Sequence, residues 1–407
     1  MSELLPTTVS GGAGPSARRV LFVDDRVKEL RGLQSVLRRQ WRHWELTFVR
    51  SGSEALSRLE SAGFDIVVAD LEEAETDGVA LLTEVKQRFP FVTRLLWSPG
   101  GARGGSHPEV AHHFLAGPCD ANTLRIAIER TCALHGFLSE PRVAALVGPM
   151  DRLPSPPAVY VELSTASADP RTGLADLARI VSRDPAVAAK VLQVVNSAFF
   201  GLREPVGSIQ QAVAYLGSEL LKALVLTTGI FGSLSGLKLD EFSLDHFQML
   251  AFLCARLARR LAPDRRRGEE AFTAALLHNV GQLVLARAYP HRYAEVLKSL
   301  PGLPLCEAEA GVFGLTHAEV GAYVLGAWGL PLDLVEAVAY HHRPELFVLG
   351  DLIVPASLHV ADAMVTELLD PENGSNLDVD LVARAGMAVD PNGWRAMAEQ
   401  EFAPLRG

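Results

Sequence analysis

DIVVADLEEAETDG, residues 65–78, opens with a short apolar run rich in branched side chains, ends that run on a carboxylate at Asp70, and reaches Gly78 as a helical pattern begins. A continuous apolar run of this length suits a strand covered on both faces, as in a parallel sheet. The same alternation appears on either side of it. VLFV (20–23) precedes a helical pattern at 27–41, and LTFV (46–49) precedes one at 53–61. RLLW (94–97) runs into a glycine-rich break, and FLA (114–116) is followed by a helical pattern at 121–135. Five such units predict a small doubly wound α/β domain built on a five-stranded parallel sheet.

Strands of a parallel sheet present their carboxyl ends along one edge, where ligands usually bind. Asp24 and Asp25 follow the first run and Asp70 follows the third, so three carboxylates are expected to converge there. Gathering them is costly unless a hard cation offsets their charge, and oxygen donors with room for water suit Mg²⁺. The plainer reading of any one of them is a helix N-cap, since Asp is common where a strand turns into a helix.

Beyond Leu138 the texture changes. LPSPP (153–157) breaks any helix, and helical periodicity follows at 173–182, 185–196, 208–215, 218–231, 243–261, 269–287, 290–298, 306–312, 317–328 and 332–340. An all-α domain is therefore expected after the α/β domain. Its histidines are His246, His278, His291, His317, His341, His342 and His359. His278 and Asn279 stand near a point where Gly281 could interrupt a helix, and Asp362 lies further along the chain. His246, His278 and Asp362 could hold a metal ion for phosphate ester hydrolysis. Packing and buried hydrogen bonding are the plainer roles for His278 and Asn279. Asn196 and Ser197 read as a helix C-terminus.

The chain has 407 residues, enough for two or three domains. At 48% apolar and 21% charged it has a globular composition. Its 38 basic residues against 48 acidic ones leave a net charge of -10, which disfavours sequence-independent binding to nucleic acid phosphates. Residues 1–17 are rich in Gly, Ser, Thr and Pro and read as a flexible leader. The uncharged stretches near 223–237 and 271–286 fall short of a membrane span and the N-terminus lacks a signal core, so a cytoplasmic location is expected. Cys119, Cys132, Cys254 and Cys306 show no CxxC spacing and are expected to be reduced thiols without a site of their own.

VLFVDD (20–25), DIVVADLEEAETDG (65–78), LLWSP (95–99) and FLAGP (114–118) together resemble the receiver domain of bacterial two-component response regulators. That resemblance implies a flavodoxin-like fold, a phosphoacceptor at Asp70, and Mg²⁺ held by Asp24, Asp25, Asp70 and the backbone carbonyl of Glu72. It makes Ser98 the switch hydroxyl. The family carries a Lys where this chain has Gly117, and four glycines and two prolines in residues 98–110 replace the fourth helix.

LPSPP (153–157), SRDPAVAAKVLQVVNSAFFG (182–201), SIQQAVAYLG (208–217), AALLHNVGQLVL (274–285), FGLTHAEVGAYVLGAWGLP (313–331) and AYHHRP (339–344) resemble the HDOD domain, a relative of the HD phosphohydrolases. The related hydrolases carry His-Asp where this chain has His278-Asn279, so the resemblance implies a regulatory output domain rather than an enzyme. His246, His278, Asn279 and Asp362 would then be a vestige of the hydrolase site.

The expected organisation is a leader at 1–17, a receiver at 18–137, a linker at 138–150, an HDOD domain at 151–347 and a helical tail at 348–407. The expected function is that of a response regulator in a phosphorelay, with Mg²⁺ as the receiver cofactor. A histidine kinase or other phosphodonor would act on it, and a downstream signalling protein would receive its output, with no direct contact to DNA or membrane. A metal-dependent phosphohydrolase or cyclic-nucleotide phosphodiesterase, and a scaffold that works without phosphorylation, are the alternatives.

Overall fold

The computed structural model describes residues 18–24, 37, 41, 44–70, 78–89, 92–98, 111, 113–116, 121–138, 146, 157–168, 171–197, 205–233, 243–300, 303–328, 330–347, 350–369 and 377–403. The chain divides into two units, one formed by residues 1–102 and 110–132, the other by 103–109 and 133–407.

In the first unit β1 (Arg19–Val23), β2 (Glu45–Val49), β3 (Ile66–Asp70), β4 (Thr93–Ser98) and β5 (His113–Ala116) form one sheet in the order β2-β1-β3-β4-β5. Every pairing is parallel. Successive side chains of a strand point to opposite faces, and the core divides accordingly. Leu21, Val23, Val67, Ala69 and Leu96 pack with Leu59 of α1 (Gly52–Ser61) and Leu81, Leu82 and Val85 of α2 (Gly78–Arg88). Val20, Phe22, Ile66, Val68, Leu95 and Trp97 pack with Leu37, Trp41, and Leu124 and Ile128 of α3 (Ala121–Leu138). Both faces are covered, which is why these strands read as unbroken apolar runs. Apart from Leu37 and Trp41, most of the expected helix at 27–41 lies outside the described residues.

The second unit is helical throughout its described residues. It contains α4 (Ala158–Ala168), α5 (Leu174–Ser182), α6 (Pro185–Val195), α7 (Ile209–Ser233), α8 (Leu244–Leu261), α9 (Arg265–Leu277), α10 (Val280–Ala288), α11 (Pro290–Ser299), α12 (Leu305–Phe313), α13 (His317–Ala327), α14 (Leu332–Tyr340), α15 (Ile353–Leu369), α16 (Val379–Arg384) and α17 (Pro391–Phe402). Asn196 caps α6, and its side-chain amide both donates to Val206 O at 2.9 Å and accepts from Val206 N at 2.7 Å.

Two helix assignments differ from the expectation. The single helix read at 269–287 is two, because the chain turns at His278 and Asn279 between α9 and α10. Helix α4, which the proline-rich LPSPP obscured in the sequence, is present. In α7 the window Ile209–Ile230 is long and apolar enough to cross a membrane, but 61% of it is buried inside the protein, and Gly217, at φ 77°, breaks the helix within it. Within the expected helical tail, α15 contributes Leu358, Val360 and Ala361 to the same core as α8 and α9. Helix α17 is tied to that core by the buried Glu401, which pairs with Arg256 and, at 2.6 Å, with Arg260. Leu146, from the expected linker, is also buried in the helical unit, where its carbonyl accepts from the Tyr289 hydroxyl at 2.6 Å.

Candidate functional site

Asp24, Asp70 and Ser98 are all buried in the first unit. The pairing of Val23 with Ala69 leaves Asp24 and Asp70 as the next residues on adjacent strands, and Asp70 pairs with Trp97, one residue before Ser98. All three therefore reach the carboxyl edge of the sheet together. Asp24 is anchored by its amide, which donates to Val49 O at 3.2 Å. Gly78, the first residue of α2, packs so tightly against the end of β3 that a Cβ there would fall 2.3 Å from Asp70 O. Asp25, Glu72 and Gly117 lie outside the described residues.

The helical unit assembles a denser set. His278 stands at the end of α9, His317 opens α13, His341 and His342 follow α14, and Asp362 lies within α15. The Nε2 of His278 is 3.3 Å from Asp362 Oδ1, and His342 Nδ1 is 4.0 Å from Asp362 Oδ2. His317 Nε2 lies 3.4 Å from His341 Nε2 and 3.1 Å from His342 Nε2. Among the described residues the donors form three overlapping groups, Cys254–His278–Asp362, His341–His342–Asp362 and Cys306–His317–His342, each with its ligand atoms within 4.8 Å of one another.

The outward nitrogens decide the state of these rings. His278 Nδ1 is 2.6 Å from Ala275 O and His341 Nδ1 is 2.7 Å from Val338 O. A carbonyl only accepts, so each Nδ1 carries a proton, and each ring turns its Nε2 inward. His317 Nδ1 donates likewise to the fully buried Glu309, at 2.7 Å, and the same oxygen accepts from His317 N at 2.8 Å. The Nε2 atoms of His317 and His341 are 3.4 Å apart, so a proton or a metal ion lies between them if they are not to repel. Burial, with His342, His278 and His317 around it, holds His341 far below its ordinary value of 6.5, so this ring is neutral. Burial and His317 likewise bring His342 down to about 3. Burial works against the charge on Asp362, but the rings of His278, His342 and His341 hold its carboxyl below the usual carboxylate range. Four imidazoles and an anionic carboxylate therefore fit a divalent transition metal.

His359 stands apart from this set despite its place in the same core. Its Nε2 accepts from Asp378 N at 2.8 Å and its Nδ1 donates to His341 O at 3.0 Å, so both nitrogens are committed to holding the chain.

Of the residues expected at this site, His278 and Asp362 come together and Asn279 adjoins them, its Oδ1 buried without a hydrogen-bond partner. His246 does not join them. It is exposed on the first turn of α8, where its amide donates to Ser243 Oγ at 3.2 Å, and it belongs to none of the three donor groups. His317, His341 and His342 were not among the expected ligands, and the adjacent pair was the signal the sequence offered for them. Cys254 and Cys306 were not among them either, and their spacing carries no such signal.

Residues 153–344 match the HDOD domain family. An uncharacterized protein of Treponema pallidum is 25% identical over 203 residues, covering 49% of this chain and 39% of that protein. The transcriptional regulatory protein ZraR of Escherichia coli K12 is 27% identical over 194 residues, 44% of either chain. The chain thus spans less than half the length of these curated relatives. Among solved structures, a candidate phosphohydrolase from Shewanella amazonensis SB2B is 25% identical with a TM-score of 0.51, covering 64% of this chain and 95% of that one. The partial similarity to a transcriptional regulatory protein, joined to the HDOD match, supports a receiver-plus-HDOD architecture. The C-terminal part of this chain carries an HDOD domain.

Proposed function

We propose that this protein is a response regulator in which a flavodoxin-like receiver, phosphorylated on Asp70, controls the HDOD unit, and that the HDOD unit passes the signal to a partner protein. The observation that carries this reading is the meeting of Asp24, Asp70 and Ser98 at the carboxyl edge of the sheet, at the ends of three adjacent parallel strands. The strand order 2-1-3-4-5 agrees with it. An Asp70 oxygen is the nucleophile toward the phosphodonor, whose leaving group departs as the phosphoryl group is transferred, and the hydroxyl of Ser98, which is buried, hydrogen-bonds the new phosphoryl group. Asp24, with Asp25, supplies oxygen donors for Mg²⁺, which offsets the charge of the phosphoryl group. Gly117 supplies no ammonium, so these hydroxyl and carboxylate groups carry the site.

Acetyl phosphate labelling of the full chain, with and without Mg²⁺ and with Asp70→Asn as control, tests the proposal. Magnesium-dependent label on the wild type alone supports it. An unlabelled wild type favours the phosphorylation-independent scaffold.

The donor set of the helical unit favours a second reading, metal-dependent phosphoester hydrolysis. His278, His317, His341, His342 and Asp362 would hold the ion, whose contribution is Lewis acidity toward a phosphoryl oxygen. Asn279 keeps the shape of a carboxylate but adds no charge, which leaves Asp362 as the anionic donor shared by two of the groups. Metal analysis of purified protein together with a phosphodiesterase assay, using Asp362→Asn as control, separates a hydrolase from a regulatory module.

A further inference from the structure

We propose that Cys306 joins His317 and His342 to form a soft-metal position of the zinc class, sharing both histidines with the donor set described above. It rests on the metal-binding reading of the helical unit and adds a thiolate to it, with no requirement for catalysis.

Three observations support it. His317 Nε2 and His342 Nε2 are 3.1 Å apart, and two imidazole nitrogens bound tetrahedrally to zinc at about 2.0–2.1 Å lie roughly 3.3 Å from each other. His342 turns its other nitrogen, Nδ1, toward Asp362 at 4.0 Å, so its Nε2 is the atom available on the Cys306 side. The Cys306 sulfur lies within 4.8 Å of the ligand atoms of both rings. One sulfur and two nitrogens with a fourth position open match zinc and disfavour Mg²⁺, which takes oxygen donors.

The surroundings are those of a built ligand. Glu309, fully buried, accepts from both His317 Nδ1 and His317 N, which fixes the ring and its tautomer as carboxylate partners do behind metal-bound histidines. Cys306 is half-buried on α12 and His342 is partly exposed, so an ion can reach this end from solvent. When the sulfur–metal bond forms, the thiol proton leaves to water and the sulfur binds as thiolate. Cys254, the thiol at the other end, is fully buried and groups with His278 and Asp362 instead.

The test uses the full chain loaded with Co²⁺ and, separately, Zn²⁺. Cobalt-loaded wild type is expected to show a sulfur-to-cobalt charge-transfer absorption. Cys306→Ser abolishes it and removes one zinc ion per chain, whereas Cys254→Ser retains it. Metal bound without that absorption, or an absorption lost in Cys254→Ser and kept in Cys306→Ser, overturns this inference while leaving the metal-binding reading intact. A wild type that takes up neither metal overturns both. Should Cys306→Ser fail to fold, alkylation of the wild type mapped by mass spectrometry decides: zinc protects Cys306 if the assignment holds, and equal modification with and without zinc overturns it.

Discussion

A methyl group on Gly281 would lie 1.9 Å from the carbonyl oxygen of His317 and 2.7 Å from the amide of Gly321. Helices α10 and α13 therefore cross at backbone contact, and this crossing brings His317 close to His341 and His342. Gly281→Ala must push α13 away. It is expected to cost about 1–3 kcal/mol and to weaken metal binding by displacing the His317 ring. Thermal unfolding and zinc titration of the variant check both outcomes; unchanged zinc affinity would show that the crossing does not set the position of His317.

Glu309 has two separable roles, filling space and orienting His317. Its Oε1 lies 3.4 Å from the Tyr293 hydroxyl while Oε2 takes both His317 donors. Glu309→Ala strands buried donors and opens a cavity, with an expected cost of about 3 kcal/mol or more. Glu309→Gln keeps an accepting oxygen and the packing, so the fold survives, yet metal affinity is expected to drop about 10–100-fold because the ring loses its anionic support. Equal metal affinity in Glu309→Gln and wild type would remove that second role.

Acid should destabilise the metal-free helical unit. Burial, reinforced by the neighbouring His342, His278 and His317, holds folded His341 well below 6.5. Below that pH the unfolded chain takes up a proton that the folded chain refuses, so stability falls as pH falls through the window. Melting of chelator-treated protein from about pH 8 to about pH 5 reads this directly. His341→Asn keeps a side-chain donor for Val338 O and is expected to flatten the dependence; an unchanged slope would assign it to other groups.

At the sheet edge, a Cβ on Gly78 would meet Asp70 O at 2.3 Å and Leu96 Cδ1 at 3.3 Å. Gly78→Ala displaces either the start of α2 or the end of β3, at a cost of about 1–3 kcal/mol. Acetyl phosphate labelling of Asp70 is expected to fall in this variant. Labelling at the wild-type level would show that the strand end tolerates the shift.

The sheet was readable because burial on both faces requires unbroken apolar runs. VLFV, LTFV, DIVVA, RLLW and FLA each lie within a residue of an observed strand. Most helices were readable for a related reason, a single buried stripe at helical spacing. The exceptions have local causes. The buried parts of α9 and α10 carry one apolar pattern across the His278–Asn279 turn, so periodicity cannot mark the break. In α4 the alternation of apolar and hydroxyl residues blurs the stripe.

Order along the chain was enough to place Asp24 and Asp70, because every strand of a parallel sheet delivers its last residue to the same edge, whereas Ser98 was named only by the resemblance to receiver domains. The histidine pocket has no such rule. His278, His317, His341 and Asp362 come from four separate stretches of helical chain, and their distances depend on how closely those helices cross and how they are rotated. His246 was a reasonable member by residue type and is excluded by facing solvent. Cys306 was unremarkable by spacing and enters the pocket on the helix whose Glu309 holds His317. Residue type and periodicity carry the sheet edge because its geometry repeats from strand to strand; a site between helices is set by packing contacts distant in sequence, and those exist only once the chain has folded.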